Sequence, residues 1–468
     1  MEYLSVKDMF KIGVGPSSSH TLGPWKAALA FINSLDNTSS YLRVYVELFG
    51  SLSYTGKGHA TDIAVILGLM GKDPETVPGE DVIAAIEWIE TKKVLMLPSG
   101  QILEFSRNDD IIFSKEFLPY HPNGMTFHYI DSNGQSHSST YYSIGGGFIT
   151  QGDNQDVSEK DKSHPFPIES ARELQHYCDQ QQLNIYEVVR KNELAYMGEQ
   201  EFRNYLLKIW DVMLDSIYRG CHTHGVLPGG LNVERRASKM YSKLKGPDSY
   251  ENRDDWLECL RKCEYSVSSI FKWVSCFALA VNEENADMGR VVTAPTNGSA
   301  GVVPSVLLFY LTRYNLDAGD QDIIEFLSVA SEIGCIFKKG ATISAAMGGC
   351  QAEIGVSSAM AAAGLTHVLG GSFKQVLSAA EMAMEHHLGL TCDPINGLVQ
   401  VPCIERNSMG AIKAINAAEL ALDTDPDKTK VPLDKVIATM WATAQDMDRK
   451  YKETSEGGLA VDLSAPEC

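Results

Sequence analysis

Hydrophobic and polar positions divide the chain into two stretches with different patterns. In the first 150 residues apolar side chains alternate over short segments, as in Tyr41–Leu48, where every second residue from Leu42 onward is apolar. Such alternation is typical of half-buried strands. Further strands are predicted at 94–97, 102–105, 111–113, 125–130 and 140–144, with helices at 24–33, 61–69 and 81–91. These elements predict a small α+β domain over residues 1–152.

Beyond residue 165 the apolar residues recur with the spacing of one helix face. Helices are predicted at 171–182, 199–219, 253–282, 321–337, 373–387, 409–422 and 433–451, and we find no strand pattern among them. The polar segment 150–165 has the composition of a linker. The pattern therefore predicts a multidomain protein in which the α+β domain precedes an all-α domain over residues 166–468. Its last part, residues 456–468, contains two glycines and a proline and forms a tail beyond the last helix.

Composition narrows the class of protein. Of 468 residues, 44% are apolar and 21% are charged, a mix that is typical of folded globular domains. The 60 acidic and 40 basic residues give a net charge of −20, which disfavours binding to nucleic acids and anionic membranes. The uncharged runs 291–312 and 354–373 contain prolines or glycines, so we expect buried helices there rather than membrane spans. Without a signal-peptide pattern or a disulfide spacing, the sequence leads us to expect a soluble, cytoplasmic protein.

Three of the ten cysteines lie among residues that break helices. Cys350 follows two glycines, Cys392 lies two residues before a proline, and Cys403 follows a proline directly. Turns of this kind expose backbone N–H groups that stabilise thiolates, so the three residues suit an iron–sulfur cluster with one open iron. Their spacing matches no short ferredoxin pattern, and three structural cysteines in loops remain an alternative. The terminal Cys468 is either a mobile fourth ligand or a chain end without a role.

Three polar turns could bind a substrate. Residues 17–21 read Ser-Ser-Ser-His-Thr before a predicted helix, where the hydroxyls could bind a carboxylate or only cap the helix. His59 lies in a glycine turn before a helix that Thr61 or Asp62 is expected to cap, and it is either a general base or a surface histidine. Residues 294–301 could hold a phosphate or a carboxylate through backbone N–H groups, although they lack the nucleotide-binding pattern.

Seven segments, taken in order, give the chain a specific resemblance to a known family. They are residues 7–28, 50–62, 121–125, 225–237, 294–304, 338–365 and 392–407. Their most distinctive motifs are GPSSSHT, TGKGHATD, APTNGSAG, GGCQAEIG and CDPINGLVQVPC. Together they resemble the iron–sulfur L-serine dehydratases, in the single-chain form that fuses a β-type and an α-type domain. The resemblance covers nearly the whole chain, with no departure at these segments.

The resemblance implies a reaction and a cofactor. The reaction would convert L-serine to pyruvate and ammonia, a step of serine catabolism that can feed gluconeogenesis. A [4Fe–4S] cluster would be bound by Cys350, Cys392 and Cys403, and Cys468 would fold back onto the open iron. The family also implies a homodimer, and we expect the site to lie between the two domains of each chain.

The resemblance also implies roles for polar residues. His59 would take the α-proton of the substrate, and His121 is the reserve candidate for that role. The residues expected to bind the carboxylate and ammonium groups are Ser17, Ser18, His20, Asn297 and Ser299.

Two other classes of protein remain alternatives. A pyridoxal-phosphate dehydratase performs the same net reaction and needs a Schiff-base lysine with a phosphate-binding loop. Lys338 or Lys339 and residues 298–301 could serve those purposes, although an all-α second domain fits that chemistry poorly. A non-catalytic iron–sulfur sensor would bind an amino acid without forming pyruvate.

Overall fold

The computed structural model describes residues 3–152, 164–246, 249–263 and 266–462. The strands are β1 Ile12–Val14, β2 Tyr41–Leu48, β3 Val94–Met96, β4 Ile102–Glu104, β5 Ile111–Phe113, β6 Gly124–Asp131, β7 Ser136–Ser143, β8 Ile149–Thr150 and β9 Arg290–Val292. The helices are α1 Val6–Met9, α2 Gly23–Ser34, α3 Ser51–Tyr54, α4 Thr61–Leu69, α5 Gly79–Lys92, α6 Ala171–Gln181, α7 Ile185–Glu193, α8 Glu199–His222, α9 Ala237–Leu244, α10 Arg253–Lys262, α11 Val267–Ala286, α12 Val302–Phe309, α13 Asp320–Gly340, α14 Ala345–Gly348, α15 Ile354–Val368, α16 Phe373–Glu385, α17 Cys403–Asp423, α18 Leu433–Asp446 and α19 Leu459–Asp462. The predicted class, an α+β domain followed by a helical domain, is confirmed.

The main sheet of the N-terminal domain has five strands in the order β5-β2-β6-β7-β8. β5 pairs with β2 in parallel, and the other neighbours are antiparallel. Val44, Val46 and Leu48 of β2 are buried as predicted, but Leu42 is 60% exposed. A β-bulge between Tyr41 and Arg43 shifts the alternation, so Leu42 points away from the face that the pattern predicted.

The core of the helical domain surrounds α15, which packs against α13, α16 and α17. Every residue of α15 from Ile354 to His367 is buried, and most of them are small. At Gly364 an added Cβ atom would lie 2.9 Å from the Phe326 carbonyl oxygen, so the two backbones approach closely. The uncharged run 354–373 thus contains the buried helix that was expected. In the parts of the chain that the structure describes, we find no helix with the length and apolar character to cross a bilayer.

Several helix boundaries differ from the predictions, and capping side chains explain two of the differences. The single helix expected over 253–282 is divided into α10 and α11, because the Ser266 hydroxyl accepts from the N–H of Ser269 and starts a new helix. The helix expected to reach residue 451 ends at Asp446. There the carboxylate of Asp448 accepts from the N–H of Lys450 and favours a separate 3₁₀ turn.

A pair of short strands joins the beginning of the chain to the helical domain. β1 is antiparallel to β9, with Ile12 opposite Val292. The prediction that the second stretch contains no strand is therefore wrong at β9, whose three residues are too few to show an alternating pattern. Leu4, Val6 and Phe10 also lie in the same hydrophobic core as the helices. The first residues of the chain thus contribute to the core of the second domain.

Gly15 lies directly after β1, where the chain passes close to the C-terminal end of α11. An added Cβ atom there would lie 1.9 Å from the carbonyl oxygen of Asn285. The side chain of Asn285 donates to the Pro16 carbonyl at 2.7 Å, which holds the following turn in place. This close approach requires glycine.

We expect Gly15→Ala to lower the free energy of unfolding by about 1–3 kcal/mol, because overpacking displaces the backbone. Urea unfolding measures the loss. Gly13→Ala is the matched control in the same strand, since its Cβ would meet only the flexible Leu22 side chain, at 3.1 Å. Equal stability of the two variants would contradict the close approach.

Candidate active site

The serine turn follows β1 and forms one π-helical turn, Ser18–Leu22, before α2. Ser17 caps this turn, because its hydroxyl accepts from the backbone N–H of His20 at 3.1 Å. The Ser18 hydroxyl is buried, and it has no hydrogen-bond partner among the described residues. The turn thus contains the expected helix cap, while binding of a carboxylate by its hydroxyls stays a prediction.

The turn that carries His59 is held against the serine turn by two hydrogen bonds. The Thr21 hydroxyl donates to the His59 carbonyl at 2.7 Å. The Thr61 hydroxyl donates in return to the His20 carbonyl at 2.6 Å. Because all four residues are buried, these bonds fix the two histidine-bearing turns relative to each other.

The helix after this turn lacks the cap that was predicted. α4 begins after Ala60, which has a left-handed backbone (φ 52°), and no side chain caps the helix. Thr61 uses its hydroxyl for the bond between the two turns. Asp62 forms an ion pair with Arg107 at 2.7 Å instead. Both expected cap residues therefore serve contacts outside the helix.

His20 and His59 lie side by side, with ring centroids 4.6 Å apart. The Oε1 atom of Glu453 lies 3.3 Å from Nδ1 of His20 and 3.9 Å from Nε2 of His59. Burial lowers the pKa of His20 well below its usual range, and the nearby His59 lowers it further. Burial also lowers the pKa of His59, to about 4. Both rings are therefore neutral near pH 7.

The hydrogen bonds of His59 determine which ring nitrogen carries its proton. Nδ1 lies 3.0 Å from the Thr55 carbonyl oxygen, which can only accept. Nδ1 is therefore protonated in the neutral ring, and Nε2 has a lone pair. Because Nε2 is the atom nearest Glu453, the basic side of the ring faces that carboxyl group.

The three cysteines expected to bind a cluster line one cavity. The sulfur atoms of Cys350 and Cys392 and a carboxylate oxygen of Glu353 all lie within 4.8 Å of one another. Cys403 lines the same cavity, but it is the first residue of α17 rather than part of a loop as expected. The preceding proline is compatible with this position, because a helix start does not need its N–H. Cys468 lies outside the described residues.

Both domains contribute to this cavity. Ser17 and His59 come from the N-terminal domain, whereas Glu353 and Glu453 join the cysteines from the helical domain. Burial and, to a smaller extent, the adjacent Cys350 raise the pKa of Glu353 to about 8. Burial likewise raises the pKa of Glu453 well above its usual range. The cavity thus combines thiols, neutral imidazoles and two carboxyl groups out of contact with bulk water.

Arg406 stabilises negative charge beside the cysteines. Its Nη1 atom donates to the sulfur of Cys350 at 3.3 Å and to the Thr391 carbonyl at 2.7 Å. Its Nη2 atom donates to Asp393 at 3.0 Å. The pKa of the Cys350 thiol is lowered to about 7, first by the hydrogen bond from Cys392 and further by Arg406, against the effect of burial. Three thiols, one of them favoured as thiolate, form a donor set that fits an iron–sulfur cluster.

The remaining predicted residues, His121, Asn297 and Ser299, are not among the residues that line the cavity. His121 is buried and accepts from the Asn123 N–H at 3.1 Å. Asn297 donates to the carbonyl of Val14 at 3.3 Å, while its Oδ1 is buried without a partner in the described ranges. Ser299 donates to the carbonyl within its own turn, at Ala294.

Sequence reasoning did not identify Glu353, Arg406 or Glu453 as site residues. Glu353 and Arg406 each lie three residues after a cysteine that is expected to bind the cluster, a spacing that brings them near it. Glu453 follows a helix by several residues and shows no local signal. The lysines considered for a pyridoxal-phosphate site lie elsewhere: Lys338 contacts the ring of Phe148, and neither lysine lines the cavity.

Comparisons with known proteins follow the same division of the chain. Residues 5–154 match the family model of the serine dehydratase beta chain, and residues 180–460 match that of the serine dehydratase alpha chain. The chain is 46% identical to L-serine dehydratase 1 of Escherichia coli. The 465 aligned residues cover 98% of this chain and 99% of that protein. It is 44% identical to the L-serine dehydratases of Haemophilus influenzae and Streptomyces coelicolor, with the same coverage.

We expect Arg406→Ala to lower the free energy of unfolding by about 3–5 kcal/mol, because Asp393 and Cys350 then lack their buried cation. Anaerobic urea unfolding measures the change. Lys374→Ala is the control, since it removes an exposed ion pair with Asp427 and should cost less than about 1 kcal/mol. Similar losses in the two variants would contradict the role of Arg406.

Proposed function

Because the chain belongs to the serine dehydratase family, with the beta-type and alpha-type parts in one polypeptide, we propose that it converts L-serine to pyruvate and ammonia. The observation that carries this proposal is the single buried cavity in which a neutral histidine faces three cysteines. In this reaction serine loses its α-proton and β-hydroxyl as water and becomes aminoacrylate. The aminoacrylate tautomerises to an imine, which takes up water to give pyruvate and ammonia.

Cys350, Cys392 and Cys403 would hold a [4Fe–4S] cluster in this cavity. When bound, such a cluster with an open iron supplies Lewis acidity towards the hydroxyl oxygen of the substrate. Arg406 compensates part of the negative charge of the sulfur ligands, and it also orients the loop that carries Cys392 through the Thr391 carbonyl.

His59 is the general base of the proposal. Its Nε2 atom has the lone pair, and the Thr55 carbonyl holds the ring in that tautomer. The low pKa that burial gives the ring keeps it unprotonated before the reaction. His121 remains the reserve candidate, but it is not among the residues that line the cavity.

The polar residues of the two turns would bind the substrate carboxylate. Ser18 and Asn297 adjoin Ser17 and Gly298, which line the cavity, and each has a buried atom without a partner in the described structure. Ser17 lines the cavity, and His20 is fixed beside it through Ser51 at 3.0 Å. Ser299 would act indirectly, because its hydroxyl is used within its own turn.

Cys468 and the homodimer stay predictions from the resemblance. The N–H of Leu459 donates to Asp393 at 3.0 Å, which places that part of the chain next to the Cys392 loop. The nine residues from there to Cys468 can span roughly 30 Å when extended. A terminal thiolate could therefore return to the cavity. Light scattering of the purified protein would determine its oligomeric state.

Purification without air tests the proposed function. We expect the protein to contain iron and sulfide and to form pyruvate from L-serine, whereas Cys350→Ser should lose the iron, the visible absorbance and the activity. Cys259→Ser, at a half-buried cysteine of α10, is the control that should keep all three. Serine binding without pyruvate would favour the sensor, and a borohydride-trappable aldimine would favour a pyridoxal-phosphate enzyme.

We expect His59→Ala to keep the iron and the visible absorbance and to lower kcat by about 100-fold or more, because the base is lost. Steady-state pyruvate formation measures the loss. His128→Ala changes a partly buried histidine of β6 that pairs with Glu47, and it should leave kcat unchanged. A near-normal kcat in His59→Ala would assign the base to another residue.

A further inference from the structure

We infer that Glu453 binds the α-ammonium group of the substrate and thereby selects amino acids over other hydroxy acids. This inference rests on the proposed function, and it adds a residue outside the motifs that suggested that function. It also gives a role to the segment between the last long helix and the chain end.

The backbone of Glu453 is fixed by hydrogen bonds on both sides, and one oxygen of its carboxyl group has no partner among the described residues. Its backbone N–H donates to the Cys392 carbonyl at 2.9 Å, and its own carbonyl accepts from the Ser51 hydroxyl at 2.7 Å. Its Oε1 atom faces the two histidines. Its Oε2 atom is buried and has no hydrogen-bond partner among the residues that the structure describes. An acceptor that is fixed and unused in a cavity is suited to a ligand that donates hydrogen bonds.

The chemistry of the substrate places its ammonium group next to the base. The ammonium nitrogen and the α-proton are attached to the same carbon atom, so a base that removes this proton lies close to the ammonium group. Glu453 Oε1 is 3.9 Å from Nε2 of His59, the atom with the lone pair. A substrate whose α-proton faces His59 therefore brings its ammonium group within reach of Glu453.

The other carboxyl group that lines the cavity is less suited to this role. Glu353 lies on the cysteine side, where one of its carboxyl oxygens is within 4.8 Å of the sulfur atoms of Cys350 and Cys392. A ligand beside it would be near the sulfur atoms rather than near His59. The geometry thus assigns the ammonium site to Glu453.

Replacing the carboxyl group of Glu453 by an amide should weaken the binding of an amino acid selectively, because an amide cannot become negatively charged beside an ammonium group. L-serine and 3-hydroxypropanoate share the carboxylate and the hydroxyl group, and they differ only in the ammonium group. We expect Glu453→Gln to raise KM for L-serine by about 10- to 100-fold, because a hydrogen bond between charged groups is lost. The inhibition constant of 3-hydroxypropanoate should change by less than about threefold.

Two further variants keep this test independent of folding. Glu453→Asp retains the charge and shortens its reach, so it should give a smaller increase in KM than Glu453→Gln. Glu456→Gln changes an exposed residue in the same segment and should behave as the unaltered enzyme. Iron content and visible absorbance, measured on each variant, show whether the site has been assembled.

A direct binding measurement separates this inference from the proposed function. Anaerobic calorimetry in the His59→Ala background, where turnover is blocked, compares L-serine with 3-hydroxypropanoate before and after Glu453→Gln. If Glu453→Gln abolishes the binding of L-serine but not that of 3-hydroxypropanoate, the ammonium site is supported. This conclusion holds even if the unaltered protein forms no pyruvate, because the absence of pyruvate would refute only the proposed function. Equal weakening of both ligands, or of neither, would overturn the assignment of Glu453.

Discussion

The cavity depends on the pairing of two backbone segments at Cys392. The Cys392 N–H donates to the Tyr451 carbonyl at 2.8 Å, and the Glu453 N–H donates back to the Cys392 carbonyl. This parallel bridge fixes a carboxyl side chain between the thiols and the histidines. The hydroxyl of Ser51, in the N-terminal domain, donates to the carbonyl of Glu453. The bridge therefore also connects both domains at the site. Neither domain alone could position these groups.

Burial of so many polar groups opposes folding. The hydroxyl of Ser18, Oδ1 of Asn297 and Oε2 of Glu453 are buried without partners in the described part of the chain, and each such group costs about 1–3 kcal/mol. The tightly packed helices around α15 offset this cost, since their small residues allow close contact over a long interface. These three groups line the cavity or adjoin a lining residue in the sequence, so a polar ligand bound there would offset part of this cost.

Local patterns in the sequence predicted most helices and strands, but not the features that depend on contacts between distant segments. Helical spacing is periodic over many residues, so α8, α13 and α16 were predicted close to their observed bounds. The capping box that starts α7, with Asn184 and Glu187, was a readable signal that was overlooked. The bulge that exposes Leu42 depends on the partner strand, and no local pattern shows it. The contiguous motifs brought most cavity residues to attention, whereas Glu453 reaches the site only through tertiary pairing.

The strand pair β1–β9 has a consequence for the order of synthesis. Ile12 pairs with Val292, which is 292 − 12 = 280 residues later in the chain. At about 5–20 residues per second, a ribosome needs on the order of 15–60 s to make that interval. Until β9 and α13 have been made, β1 lacks its partner strand, and α1 lacks the long helix against which it packs. The nascent chain therefore keeps an apolar segment, which includes Leu4, Val6 and Phe10, only partly covered, and such a segment is a natural target for cotranslational chaperones.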